Sequence, residues 1–331
     1  MEFLKKCIYL LTPRELKISS LLIIMIIIMA SLDMIGVASI LPFMAVLTNP
    51  SVIETNIILN KMFEISKIFG VENNNEFLFA LGVLVFMLLI ISLIFKALTA
   101  YVQTRFIQMR EYTIGKRLVE GYLYQPYSWF LSRHSADLVK TILSEVNEVI
   151  ANGLKPLVEI IAKSMIIIAI IILLIIADPK LAFFVSFSII VIYGLIFYFI
   201  RNILYKLGKE RFKSNHFRFR IVSEAFGAVK EIKVGGLEKS FIKSFSNSAE
   251  TFARNVATSD VIGILPRFVL EAIAFGGILL IILYILANTG SVNDAIPIIS
   301  LYAFAGYRLM PAIQQIYLSS TRLKFVGPAL D

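Results

Sequence analysis

The chain has 331 residues, of which 58% are hydrophobic and 17% are charged, and its formal net charge is +9. A soluble fold of this length cannot bury so large an apolar fraction, so the composition excludes a purely soluble protein and requires a lipid-facing surface. The single Cys7 excludes an internal disulfide, and two scattered histidines, His134 and His216, predict no metal site.

The first segment, residues 1–13, is apolar and carries Lys5 and Lys6. Its apolar run is short, and no small-residue cleavage site follows it. A spanning stretch begins soon after Pro13. We therefore interpret residues 1–13 as an interfacial elbow helix that leads into the first span, and not as a signal peptide.

Six apolar stretches have close to the length of about 20 residues that a helix needs to cross a bilayer. The sequence therefore predicts an all-α membrane protein with six transmembrane helices. The predicted spans are residues 18–40, 77–95, 158–176, 181–200, 261–286 and 295–310.

The connectors between the spans differ strongly in length and charge. Residues 96–155 contain eight Lys or Arg against five acids, and residues 201–260 contain twelve against six. Because basic loops stay in the cytoplasm, this asymmetry predicts a multi-pass protein of a bacterial inner membrane with both long connectors and both termini inside. The positive charge then indicates which side of the membrane the connectors occupy. The sequence contains no soluble basic domain that would indicate a nucleic-acid partner.

The connector between the first two spans predicts an amphipathic helix on the external side, at about residues 50–69. Its apolar face could lie at the outer interface and contact a lipid tail. Packing of this face on the outer ends of the first two spans is the alternative, and the sequence leaves both open. The face consists of Ile58, Met62, Ile65 and Phe69.

The two long connectors are helical in period, and each is broken near its middle. We predict two long cytoplasmic helical hairpins with tips at about 124–133 and 225–236. The tips either pack as turns on their own helices or dock into a cytoplasmic partner. The candidate docking residues are Tyr124, Gln125, Pro126, Tyr127, Trp129, Phe130, Phe226, Gly227, Lys230 and Glu231.

Charged residues inside apolar spans are costly and usually functional. Lys96, Arg267 and Arg308 fall in the inner half of three different spans or at the cytoplasmic interface, so we expect them to line a hydrated cavity and to bind an anionic headgroup. Snorkelling to phospholipid headgroups is the alternative, above all for Lys96. Asp33 and Glu271 are the expected ion-pair partners.

One more basic residue falls in an apolar stretch. Lys163 lies in the third span, four residues after Glu159. The two side chains could form an ion pair along the helix, or Lys163 could snorkel to the interface.

Three short strings accompany this architecture: LDMIG (32–36) with LPF (41–43), LPR (265–267) with LE (270–271), and YRLMP (307–311). With the elbow helix, six spans and two hairpins, the chain resembles the transmembrane domain of type IV ATP-binding-cassette exporters. The strings are similar to those of the lipid-linked oligosaccharide flippases of the bacterial N-glycosylation type.

This resemblance implies an ATP-driven homodimer in which the hairpin tips couple to a nucleotide-binding domain. That domain would bind ATP and Mg²⁺, but residues 1–331 contain no G-x-x-x-x-G-K-[ST] motif. We therefore expect no catalytic residue and no bound cofactor in this chain. The ATPase is expected either on a separate polypeptide or in a part of the protein beyond Asp331.

The sequence thus predicts the membrane domain of a translocase for a polyprenyl-diphosphate-linked oligosaccharide or a similar anionic glycolipid. An exporter of another amphiphile, such as lipid A, a peptide or a drug, is the alternative within the same fold. A membrane scaffold without transport is the alternative from another class. The spans contain no histidine, so an intramembrane protease is not expected.

Overall fold

The computed structural model describes residues 12–68, 70–133, 138, 139, 141–289 and 296–330, and in these ranges every regular element is a helix. The helix Thr141–Ala177 includes two π-helical segments, Thr141–Glu145 and Ile150–Leu154. The helices are α1 (Pro13–Ala38), α2 (Ile40–Thr48), α3 (Val52–Thr55), α4 (Ile57–Lys67), α5 (Asn74–Leu123), α6 (Tyr127–Leu131), α7 (Thr141–Ala177), α8 (Pro179–Gly227), α9 (Val229–Gly235), α10 (Glu238–Thr289) and α11 (Ile296–Leu330).

Helix α1 begins at a capping box. The Thr12 N–H donates to Glu15 Oε2 at 2.8 Å, and the Glu15 N–H donates to Thr12 Oγ1 at 3.4 Å. Pro13 occupies the first turn, where its missing N–H costs nothing. These features define the start of α1, while the predicted elbow helix lies almost wholly outside the described residues.

Four segments of the described chain are long and apolar enough to cross a membrane: Glu15–Thr48, Asn74–Leu123, Thr141–Ala177 and Ser186–Gly227. They contain or overlap the first four predicted spans. The fifth predicted span lies within α10, and the sixth lies within α11 except for residue 295, which is outside the described residues. A total of six spans therefore stays a prediction.

The main core forms where α1, α7, α8 and α11 meet. It contains Val37 from α1, Ile170 from α7, Ala182 from α8 and Leu301 from α11, all at most 1% exposed. Apolar side chains also cover much of the outer surface; Ile24, for example, is 53% exposed. An apolar exterior around an apolar core is what a lipid-facing bundle requires.

Helices α5, α8 and α10 have 50, 49 and 52 residues. At 1.5 Å per residue each is about 75 Å long, more than twice the thickness of a bilayer core. The part of each long connector next to a spanning segment therefore continues the same helix without a break. The cytoplasmic location of these extensions stays a prediction.

The extensions are tied together by polar contacts between helices. Asn147 of α7 donates to Glu111 of α5 at 3.1 Å, and Asn255 of α10 donates to Glu210 of α8 at 3.3 Å. Buried Arg211 of α8 pairs with Glu148 of α7 at 3.1 Å and so joins the two helix pairs.

Close backbone packing holds α8 against α11 in the same region. A Cβ atom added at Gly208 would overlap the carbonyl oxygen of Phe325. The guanidinium of Arg211, about one turn along α8, lies 5.0 Å from the Phe325 ring centre. Glycine is therefore required at position 208 so that the two helices can touch.

Candidate anion-binding site among the spanning helices

Asp33 of α1 is the centre of a buried polar cluster. It is 0% exposed and accepts a hydrogen bond from Ser92 Oγ to Oδ1 at 2.7 Å. Lys96 Nζ of α5 donates to Oδ2 at 3.2 Å, and Arg308 Nη1 of α11 lies 3.4 Å from Oδ1. Side chains from three helices thus meet at one carboxylate.

Helical spacing determines which helix faces carry these groups. Ser92 and Lys96 are one turn apart on α5 and so share a face. On α1, Asp33 falls between the buried residues Ala30 and Val37, on the stripe that faces the core. Gly36 keeps α1 close to α5, because a Cβ added there would lie 3.3 Å from a methyl group of Leu89.

The cluster has more positive than negative charge. Lys96 and Arg308 share the single carboxylate of Asp33, which leaves one positive charge in excess among these three groups. The Arg308 side chain is 12% exposed, whereas that of Lys96 is 32% exposed. The Lys96 ammonium is therefore the more accessible of the two cations.

Arg267, the third predicted cation, forms its ion pair inside its own helix. Its Nε donates to Glu271 Oε1 at 2.7 Å, one turn further along α10. The two side chains are 52% and 32% exposed. None of the contacts found in the described residues joins Arg267 to Asp33, so the structure brings two of the three predicted cations together.

A second carboxylate joins α7 to α11. Glu159 Oε2 accepts hydrogen bonds from Gln315 Nε2 at 2.8 Å and from Ser319 Oγ at 3.0 Å. Glu159 is among the residues singled out from the sequence, but Gln315, Ser319 and Ser92 are not. The sequence does contain a pattern that could have identified Gln315 and Ser319. They follow Arg308 at helical spacing, on the helix face that contains buried Ala312.

The first predicted docking tip is formed by the end of α5, a turn and α6. Tyr124 and Tyr127 are 88% and 77% exposed. Trp129 instead packs between the rings of Tyr122 and Phe130, at centre distances of 5.5 and 5.2 Å. The tip therefore combines a packed aromatic turn with two tyrosines that remain available to a partner. Gln125 and Pro126 are also exposed.

The second tip comprises the end of α8, α9 and the turn at Gly236, whose φ is +61°. Phe226 is 77% exposed, and Gly227, Lys230 and Glu231 are exposed as well. Beyond the turn, the Glu238 backbone N–H and the Lys233 ammonium, 3.1 Å away, hold the pKa of the Glu238 carboxyl below its usual range.

The predicted lipid-contact face lies mainly on α4. Ile58 and Ile65 are 71% and 59% exposed. Met62 instead packs, partly buried, against a cluster that contains Leu59. The face is therefore divided between exposed and packed side chains, and Phe69 lies outside the described residues.

Residues 40–307 match the family model for the ABC transporter transmembrane region. The match covers most of the chain, which therefore belongs to this family. This finding confirms the predicted membrane domain of a multi-pass ABC transporter, a type of domain that pairs with a nucleotide-binding domain. Lys96 and Arg267 fall inside the matched residues, whereas Asp33 and Arg308 lie just outside them.

Proposed function

We propose that this chain is the membrane domain of an ATP-driven flippase for a polyprenyl-diphosphate-linked oligosaccharide or a similar anionic glycolipid. The observation that carries the proposal is the excess positive charge at Asp33, where Lys96 and Arg308 share one carboxylate. An uncompensated cation inside an apolar bundle costs at least about 2.5 kcal/mol. A phosphate-bearing headgroup removes this cost by supplying the missing negative charge.

The chemistry of a diphosphate suits these two side chains. Its oxygens accept hydrogen bonds from the Arg308 guanidinium and from the exposed Lys96 ammonium, and charge-assisted bonds of this kind are the strong ones. A charged headgroup and a glycan cannot cross hydrocarbon without a polar route. In this mechanism the headgroup moves through a hydrated cavity, and the lipid tail stays in or near the bilayer.

The energy source is a nucleotide-binding domain in cis or on a separate chain, and the active unit contains a second copy of this chain. The exposed Tyr124, Tyr127 and Phe226 support docking of the two tips on such a domain. ATP and Mg²⁺ would bind there. This arrangement places both termini and both tips on the cytoplasmic side of a bacterial inner membrane.

The excess positive charge favours an anionic amphiphile but does not select a glycan. Lipid A, which is also phosphate-bearing, is therefore the second candidate substrate. Competition with the unlabelled lipids in a transport assay distinguishes the two.

The test is ATP-dependent flipping of a fluorescent polyprenyl-diphosphate oligosaccharide in proteoliposomes that also contain the nucleotide-binding domain. We expect Arg308→Ala to reduce the flipping rate at least about tenfold, because a lost charge-assisted contact costs about 1.5–3 kcal/mol. Arg254→Ala is the matched control, since Arg254 pairs with Glu250 in an exposed part of α10. Flipping by Arg308→Ala at the parent rate would contradict the proposal.

A further inference from the structure

Lys163 of α7 is a cation in a spanning helix, and no ion pair involves it in the described part of the chain. Its side chain is half-buried and follows Ala162, which is 2% exposed. Its electrostatic interactions include those with Lys96, Asp33 and Glu159. Lys163 therefore borders the Asp33 cluster.

Neither neighbouring carboxylate pairs with Lys163. The ion pair that Lys163 could form with Glu159, one turn earlier on α7, is absent; Glu159 Oε2 instead accepts from Gln315 and Ser319 of α11. Asp33 uses one oxygen for Ser92 and Arg308 and the other for Lys96. Within the described residues, therefore, no carboxylate forms an ion pair with the Lys163 ammonium.

Lys163 also lies near the cluster along the helix axes. Glu159, one turn before Lys163 on α7, accepts from Gln315 and Ser319 of α11. The two helices are antiparallel, because Tyr302 near the start of α11 donates to the Asp178 carbonyl just after the end of α7 at 3.4 Å. Along straight helices Lys163 is ~6 Å beyond the level of Glu159, and Arg308 is ~10 Å beyond Gln315 in the same direction, so the two cations are offset by ~5–10 Å.

We infer that Lys163 is a further anion-binding residue of this site and that it contacts a phosphate oxygen of the substrate headgroup. The inference rests on the proposed function and adds a residue to it. With Lys96 and Arg308, Lys163 completes a set of three cations from three helices around one carboxylate. A lysine ammonium binds phosphate as a point charge and does not need the fixed, paired N–H groups with which a guanidinium binds. It can therefore contact a phosphate oxygen from a position beside the arginine.

The test measures ligand binding by the chain in lipid nanodiscs with two probes that share one tail, geranylgeranyl diphosphate and geranylgeraniol. We expect Lys163→Gln to weaken diphosphate binding about tenfold and to leave binding of the alcohol unchanged. Lys163→Arg retains the charge and stays within about threefold of the parent. Lys155→Gln is the matched control, because Lys155 is exposed on the same helix, two turns earlier.

The outcomes separate this inference from the proposed function. If Arg308→Gln loses diphosphate binding and Lys163→Gln binds like the parent, the inference is wrong and the proposed function stands. If the parent binds both probes equally, both are wrong. The thermal unfolding midpoint is measured for every variant. A large drop for Lys163→Gln, with binding not restored by Lys163→Arg, would assign Lys163 a structural role and overturn the inference.

Discussion

Two ion-pair sites in the spanning helices use the same kinds of residue and differ in almost every physical respect. Asp33 is fully buried and joins three helices through Lys96, Arg308 and Ser92. Arg267 and Glu271 are one turn apart on a single helix, and both are substantially exposed. Only the first site can hold separate parts of the bundle together.

The energetic consequences differ accordingly. Removal of one partner from a buried pair leaves a charge without solvent or counter-ion, which costs far more than the pair itself contributes. An exposed pair within one helix contributes about 0.3–0.5 kcal/mol, because each group keeps other ways to be solvated. The Asp33 cluster should therefore control stability, whereas the α10 pair should contribute little to it.

The largest effect is expected for Asp33→Ala. This change leaves Lys96 and Arg308 unpaired inside the bundle and should lower the free energy of unfolding by about 3–5 kcal/mol. Chemical denaturation in detergent micelles measures the difference, with Glu271→Ala as the matched control at the exposed pair. Equal, small losses for the two variants would mean that the Asp33 cluster does not stabilise the bundle.

The sequence predicts contacts within one helix better than contacts between helices. The Arg267–Glu271 pair can be predicted from an i,i+4 interval on one helix. The sequence also marks Asp33, Lys96 and Arg308 as charges in apolar spans. Their convergence depends on how α1, α5 and α11 pack, and no local pattern encodes that packing.

The same limit applies to Lys163. Its i,i+4 interval from Glu159 permits an ion pair, yet in the structure Glu159 accepts hydrogen bonds from Gln315 and Ser319 on another helix. A tertiary contact has replaced the local one. Similarly, the helical period predicts the long extensions of α5 and α8, but the ion pair between Arg211 of α8 and Glu148 of α7 follows only from the packed structure.

An intermediate effect is expected for Ser92→Ala. The hydroxyl of Ser92 donates to Asp33 at 2.7 Å and is itself buried. A hydrogen bond to a charged group contributes about 1.5–3 kcal/mol, so the variant should lose that much stability while both cations remain paired. Denaturation midpoints measure the loss, and Ser31→Ala, at an exposed serine of α1, is the control. A loss as large as that of Asp33→Ala would show that the hydroxyl has a role beyond this one bond.

The smallest effect on stability is expected for Glu271→Gln. Because the Arg267–Glu271 pair is largely exposed, its loss should change the free energy of unfolding by less than about 1 kcal/mol. The variant frees the Arg267 guanidinium, so under the proposed function it should keep its fold and bind a diphosphate lipid more tightly than the parent. Glu250→Gln, which breaks the exposed pair with Arg254 on the same helix, should change neither quantity. Unchanged diphosphate binding by a stable Glu271→Gln variant would remove Arg267 from the substrate path and leave Lys96 and Arg308 as the predicted cations that act there.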